Sequence, residues 1–116
     1  MSYLFILNDP PYGTERSYNG LRLATRLARE RGASVRVFLM GDAVSCAKAG
    51  QKVPGGYYNV EAMLHGLGKL GADIGVCGTC IDARGIREAE LVEGTHRSSM
   101  DELTAWTLEA ERAITF

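Results

Sequence analysis

Ala72-Asp73-Ile74-Gly75-Val76-Cys77-Gly78-Thr79-Cys80 (residues 72–80) decides the reading of this chain. Ile74-Gly75-Val76 is a short apolar run of the kind that forms a buried strand. The two thiols follow where that strand ends and a turn or helix begins, before Ile81-Asp82-Ala83-Arg84-Gly85. In an α/β sheet, that edge is where ligands bind and chemistry occurs. A helix N-terminus at that edge favours thiolate over thiol, and the thiolate is the reactive species.

Working outward, strand and helix patterns alternate. Tyr3 to Leu7 is a β-rich apolar run closed by the turn residues Asn8-Asp9-Pro10-Pro11-Tyr12-Gly13. The spacing of Tyr18, Leu21, Ala24 and Ala28 predicts a helix over about 15–31. Leu23 and Leu27 widen its apolar face, Arg22, Arg26 and Arg29 form a solvated face, and Gly32 stops it. Ser34 to Met40 is a second strand. Asp42 is a candidate cap for a short helix reaching Ala49, with Cys46 inside it as core or spectator. Residues 50–58 form a polar, glycine-rich loop, and Asn59 caps a helix running to Leu70. Beyond Gly85 the signals weaken to a helical turn at 86–91 and a loop or short strand at 92–97. Ser99 and Glu102 form a capping box for a last helix burying Leu103, Trp106 and Ala110. Residues 112–116 close the chain as a strand.

Strands joined by helical crossovers pair in parallel, with right-handed connections. The expected fold class is α/β, a three-layer α/β/α sandwich with a mostly parallel five-stranded sheet. Residues 1–116 form one domain, since 116 residues suit a single core. The loops after Leu7, Met40 and Val76 are then expected to converge, carrying Tyr12, Gly13 and Asp42 toward the cysteine turn.

The net charge of −1 offers nothing to nucleic acid or to an acidic membrane surface. No apolar run approaches the roughly 20 residues that span a bilayer. The opening residues lack a basic flank and a long apolar stretch, so no secretory signal is expected. Three cysteines, an odd count, argue against a secreted disulfide framework. The expectation is a cytoplasmic protein with reduced thiols, no nucleic-acid partner and no membrane.

The Cys77–Cys80 pair admits several readings. A structural zinc site requires four ligands, and only one Cys-x-x-Cys pair is present, with His65 and His96 placed on other elements. No metal is therefore expected. A thioredoxin-type dithiol suits a position after a strand, but the flanking aromatic and proline residues usual there are missing. The bland alternative is two buried thiols that only fill space. Pro11-Tyr12-Gly13-Thr14 offers backbone N–H groups to an anion or is simply a turn. Arg84, seven residues after Cys77, brings positive charge toward the thiolate or lies free on the surface. The loop at 50–56 lacks the Gly-Lys-Ser/Thr ending of a phosphate loop.

Taken together, these residues resemble the DsrE/DsrF-like family, most closely its YchN subgroup. The resemblance is carried by Asp9 to Gly13, Leu21-Arg22-Leu23-Ala24, Phe38-Leu39-Met40 with Asp42-Ala43-Val44, and Gly50-Gln51-Lys52. It continues through Gly56-Tyr57 with Asn59, Met63-Leu64, Cys77-Gly78-Thr79-Cys80 with Asp82 and Arg84-Gly85, Glu102-Leu103, Trp106-Thr107-Leu108 and Thr115-Phe116. It implies a five-stranded parallel sheet flanked by helices and a homo-oligomer, a hexamer built as a trimer of dimers. Relatives in the family include sulfur-carrier subunits of sulfur relays, in which the cysteine at the position of Cys77 holds sulfur as a persulfide. Cys80 is an addition relative to those carriers. The resemblance thus implies a sulfur-transfer protein with Cys77 as nucleophile, and the expectation added for Cys80, from its spacing to Cys77, is a resolving thiol. Gly78 is expected to allow close backbone approach, the N–H groups of the Gly78-Thr79 turn to stabilise thiolate or persulfide charge and Arg84 to assist electrostatically, and no organic cofactor is implied. A non-catalytic oligomeric ligand-binding module and a dithiol redox protein are the alternatives.

Overall fold

In the computed structural model, which describes residues 1–116, strands and helices alternate along the chain. The elements are β1 (Ser2–Leu7), α1 (Arg16–Ala28), β2 (Ser34–Leu39), α2 (Val60–Lys69), β3 (Asp73–Cys77), α3 (Gly78–Ala83), β4 (Thr95–Ser98), α4 (Met100–Glu109) and β5 (Arg112–Thr115). Two 3-10 helices, Gly41–Ala47 and Glu88–Glu90, fill the connections after β2 and α3. The five strands form one sheet in the order β4-β3-β2-β1-β5, and every neighbouring pair is parallel. All strand C-termini therefore lie along one edge, as the alternating pattern predicts.

The register explains the two faces. Tyr3 stands beside Val35, Phe5 beside Val37 and Leu7 beside Leu39, so these side chains share one face. From β1 to β4 the chain steps the same way across the sheet, and right-handed crossovers place α1, α2 and α3 on that face. The direction then reverses to reach β5, which puts α4 on the other face. There Trp106 meets Phe38 edge-on at 6.4 Å, and the Arg36 guanidinium lies 5.3 Å from the indole centre. A Cβ at Gly75 would sit 3.2 Å from Trp106 and 3.0 Å from Ser98, so glycine permits this close approach of α4 to β3.

The core joins Leu4, Phe5 and Leu7 of β1 to Val37, Phe38 and Leu39 of β2 and to Ile74 and Val76 of β3. Leu21 and Ala24 of α1 and Val60, Leu64 and Leu67 of α2 cover it. Asn59 caps α2 by accepting the Ala62 N–H, and Ser99 caps α4 by accepting that of Glu102, as the spacing anticipates.

Some expectations are corrected. α1 ends at Ala28, with Arg29 as its C-terminal cap, and Gly32 takes a positive φ in the following turn. Leu23 is 40 % exposed and lies outside the core. The segment holding Cys46 is a 3-10 helix that starts at Gly41 without a side-chain cap, because the Asp42 carboxylate is engaged elsewhere. Ala110 is only half-buried, since it follows the end of α4. The ambiguous stretch 92–97 resolves into a buried Val92 and the edge strand β4.

Candidate functional site

Three of the loops at the C-terminal edge of the sheet meet around the cysteines. β3 ends on Cys77, whose backbone (φ −55°, ψ 117°) still belongs to the strand side of the junction, and α3 begins at once with Gly78. That abrupt strand-to-helix turn places the Cys77 thiol over the first N–H groups of α3. Cys77 is 8 % exposed, while Cys80, one turn later, is half-buried. The Cys77 sulfur lies 3.4 Å from Thr79 Oγ1. The Cys80 sulfur accepts the Gly41 N–H at 3.3 Å, a contact that ties the loop after β2 to the turn after β3.

Arg84 closes the same junction from outside. Its Nη2 and Nε donate to Asp42 Oδ1 at 2.7 and 3.2 Å, and its Nη1 donates to the Cys80 carbonyl at 3.1 Å. Its charge therefore acts on Cys80, whose thiol it helps to lower, and Asp42 shares it. On the other side, Arg97 at the end of β4 forms a two-pronged pair with Asp82, at 2.8 and 2.9 Å. Its guanidinium packs against Gly78, where a Cβ would come within 2.7 Å of it. A Cys77 thiolate helps to keep Arg97 charged.

The three thiols are not equivalent. Burial pushes the Cys77 thiol up, but hydrogen bonds from the Cys80 thiol, the Thr79 hydroxyl and the backbone N–H groups of Cys80 and Thr79 outweigh it. The net effect holds Cys77 below the ordinary thiol range. Cys80 moves the other way. Burial and its donation to the Cys77 sulfur raise it, against the opposing pull of the Gly41 N–H and Arg84. Cys46 is pushed up to about 12 by burial, so it stays a protonated core thiol. The junction thus pairs a thiol held toward its thiolate form with a neighbouring thiol held toward its protonated form.

Tyr12 and Gly13 do not join this cluster. The Tyr12 hydroxyl donates to Gln51 Oε1 at 2.6 Å and accepts the Val60 N–H at 3.1 Å, which ties the β1 loop to the start of α2. Gly13 has φ +97° with open space where a Cβ would stand, so it serves the turn. The turn is also filled by its own carboxylate, since Asp9 accepts from Thr14 and pairs with Arg16. No group of three His, Cys, Asp or Glu side chains is arranged to hold a metal ion.

Asp82, Arg97 and the Gly41 N–H were not foreseen as site groups. Gly78 carried the one available signal, because a glycine opening a helix straight after a strand marks a close approach. The sequence does not say that Arg97 is what approaches.

The model of the DsrE/DsrF-like family matches residues 1–116. The chain belongs to the DsrE/DsrF-like family. Within it, protein YchN of Escherichia coli (strain K12) is 40 % identical over 114 residues, 97 % of each chain. The uncharacterized protein MJ0989 of Methanocaldococcus jannaschii is 37 % identical over 116 residues, the full length of both. The crystal structure of the E. coli YchN protein superposes with a TM-score of 0.91 over the whole of both chains. Protein MTH1491 of Methanobacterium thermoautotrophicum shares the fold, with a TM-score of 0.77 and 14 % identity over 99 % of this chain and 98 % of its own. The five-stranded parallel sheet is thus the architecture of this family.

Proposed function

We propose that this DsrE/DsrF-like protein carries or transfers sulfane sulfur on Cys77. The observation that carries the reading is the asymmetry of the two thiols, with Cys77 held below and Cys80 above the ordinary range. The Cys77 thiolate attacks the outer sulfur of a persulfide donor R–S–SH. A new S–S bond forms on Cys77, the donor's S–S bond breaks, and RS⁻ leaves. Two fates follow. An acceptor thiolate takes the outer sulfur and Cys77 leaves as thiolate. Alternatively, Cys80 loses its proton and attacks the inner sulfur. That step expels HS⁻ and leaves a Cys77–Cys80 disulfide, with two thiol sulfurs oxidised and the sulfane sulfur reduced to sulfide. Thr79 and the N–H groups of α3 stabilise the anion on the way in.

The reading also takes the protein to be cytoplasmic, to exchange sulfur with protein partners, and to work as a homo-oligomer, the hexamer of the family resemblance. Tyr57, 70 % exposed in the glycine-rich loop, is an aromatic that a monomer leaves uncovered and an interface would bury. Light scattering is expected to show an oligomer, and a monomer at all concentrations removes that part of the reading.

Incubation with a persulfide donor, followed by intact mass, tests the chemistry. Wild type is expected to gain about one sulfur per chain, as one reactive thiolate allows. Cys46→Ser is expected to load normally and Cys77→Ser not at all. Cys80→Ser is expected to trap the Cys77 persulfide and lengthen its lifetime. Equal loading of wild type and Cys77→Ser defeats the carrier reading.

A further inference from the structure

A second concave surface lies between α1 and α2, on the outer face of the helix layer, and shares no residue with the cysteine turn. It is an open groove of about 690 Å³, within the range of about 300–1,000 Å³ typical of small-molecule sites. Its two walls differ in chemistry. From α1 and its C-terminal cap come Arg22, Arg26 and Arg29, at the i, i+4, i+7 spacing that keeps side chains on one helical face. From both helices come apolar groups, chiefly Leu23, Met63 and Leu70. Leu23 and Leu70 stand 40 % and 41 % exposed and flank the same groove. Gly66 of α2 also lines it, and a Cβ there would meet nothing within 4 Å.

The charge in this groove is unanswered. Arg16, Arg36, Arg84, Arg87 and Arg97 each pair with a carboxylate. Arg22 reaches only Asn19 and the Tyr18 ring, and neither Arg26 nor Arg29 has an ion-pair partner. No aspartate or glutamate lines the groove. A chain of net charge −1 thus gathers three unpaired guanidinium groups beside exposed leucines.

We propose that this groove binds a small anionic amphiphile, a molecule with an apolar body and one carboxylate or phosphate head. The apolar body covers Leu23, Met63 and Leu70, and the head takes the guanidinium groups, which recognise such oxyanions through paired N–H donors. A second copy of this chain packed about a two-fold axis is the rival occupant, and charge argues against it. Two-fold packing sets a patch against itself. Here it would bring six guanidinium groups together with no carboxylate between them, and like charges facing across an interface oppose association.

Octyl phosphate and octanoate, each below its micellar concentration, and octanol, below its solubility limit, are the probes. They are titrated into ¹⁵N-labelled protein and followed by amide shifts. The expected result is saturable shifts confined to α1 and α2 for the two anions, with octanol at least about tenfold weaker, the loss that goes with a charge-assisted hydrogen bond. The two anions distinguish a phosphate head from a carboxylate. The double variant Arg26→Ala/Arg29→Ala is expected to weaken anion binding by about tenfold or more. Gly66→Leu fills open space on a helix that tolerates leucine, so it is expected to fold and to abolish binding of all three. Retained amide spectra and Cys77 loading verify that these variants fold. Binding of octanol equal to the anions overturns the proposal, as does the absence of shifts in α1 and α2. Groove shifts that follow protein dilution and ignore the probes also overturn it and give the surface to a second copy.

Discussion

The residues that matter most here differ in protonation before they differ in position. Cys77 and Cys80 share one turn, yet one is supplied with hydrogen-bond donors and the other serves as one of them. Thiolate is the attacking form, so the alkylation rate of each cysteine climbs with pH through its own pKa. Cys77 sits below the ordinary value of 9.0, so its rate is expected to level off at lower pH than that of a free thiol. Cys80 follows at higher pH and Cys46 stays inert, which mass-resolved alkylation across neutral to alkaline pH checks. Because the first two interact, the profile reports two steps of a pair. Thr79→Val removes the hydroxyl beside the Cys77 sulfur on an exposed residue of α3. The fold is expected to be untouched and the Cys77 step to move upward in pH. An unchanged profile would show that the Cys80 thiol and the backbone N–H groups hold the anion without the hydroxyl. The thiol pair was legible in the sequence. Its direction of polarisation was not, because it is set by burial and by which thiol donates to which in the folded turn, with Gly41, 39 positions before Cys80, pulling the other way.

At the scale of elements, packing distances decide which residues a helix tolerates. Gly20 in α1 is the point where that helix meets the sheet, and a Cβ there would stand 2.7 Å from Leu7 Cδ2 and 3.1 Å from the Phe116 ring. Both neighbours are packed against the core, so they have little room to give. Gly20→Ala is expected to destabilise by about 1–3 kcal/mol despite its gain in helix propensity. Urea unfolding measures this, and a stabilised variant would mean that α1 lifts without loss. The same scale shows what the sequence could and could not say. β1, β2 and β3 are central parallel strands that read as apolar runs. β4 is Thr95-His96-Arg97-Ser98, an edge strand with no apolar residue, so hydrophobic patterning is silent there. Asp42 offered a cap by residue type, and only the fold reveals the guanidinium of Arg84 as the stronger partner. Tyr12 sits on a loop from the correct strand edge, but Gln51 draws its hydroxyl toward α2.

For the whole molecule, the sheet is covered unequally. α1, α2 and α3 share one face, and α4 guards the other alone, anchored by Trp106 against Phe38. Trp106→Ala is therefore expected to remove about 3–5 kcal/mol, within reach of the entire stability of a small domain. Circular dichroism with urea reads the loss directly. A change under about 1 kcal/mol would show that other groups seal that face, since a cavity left by a large aromatic is rarely so cheap. The Arg36 pairing with Glu109 and Asp73 offers no substitute, because these carboxylates are more than half exposed and such pairs contribute little.

The placing of β5 against β1 has a consequence for how the protein is made. The second neighbour of β1 is encoded far downstream of it, at Arg112–Thr115. At a synthesis rate of about 5–20 residues per second, the outer edge of β1 waits on the order of 5–20 s for its partner. Through that interval the nascent chain displays Tyr3, Leu4, Phe5 and Ile6 as an open hydrogen-bonding edge, a template for any passing strand. Stop codons falling just before position 112 would make that exposure permanent. Such truncations are expected to collect in inclusion bodies, although every residue of the cysteine turn is present in them.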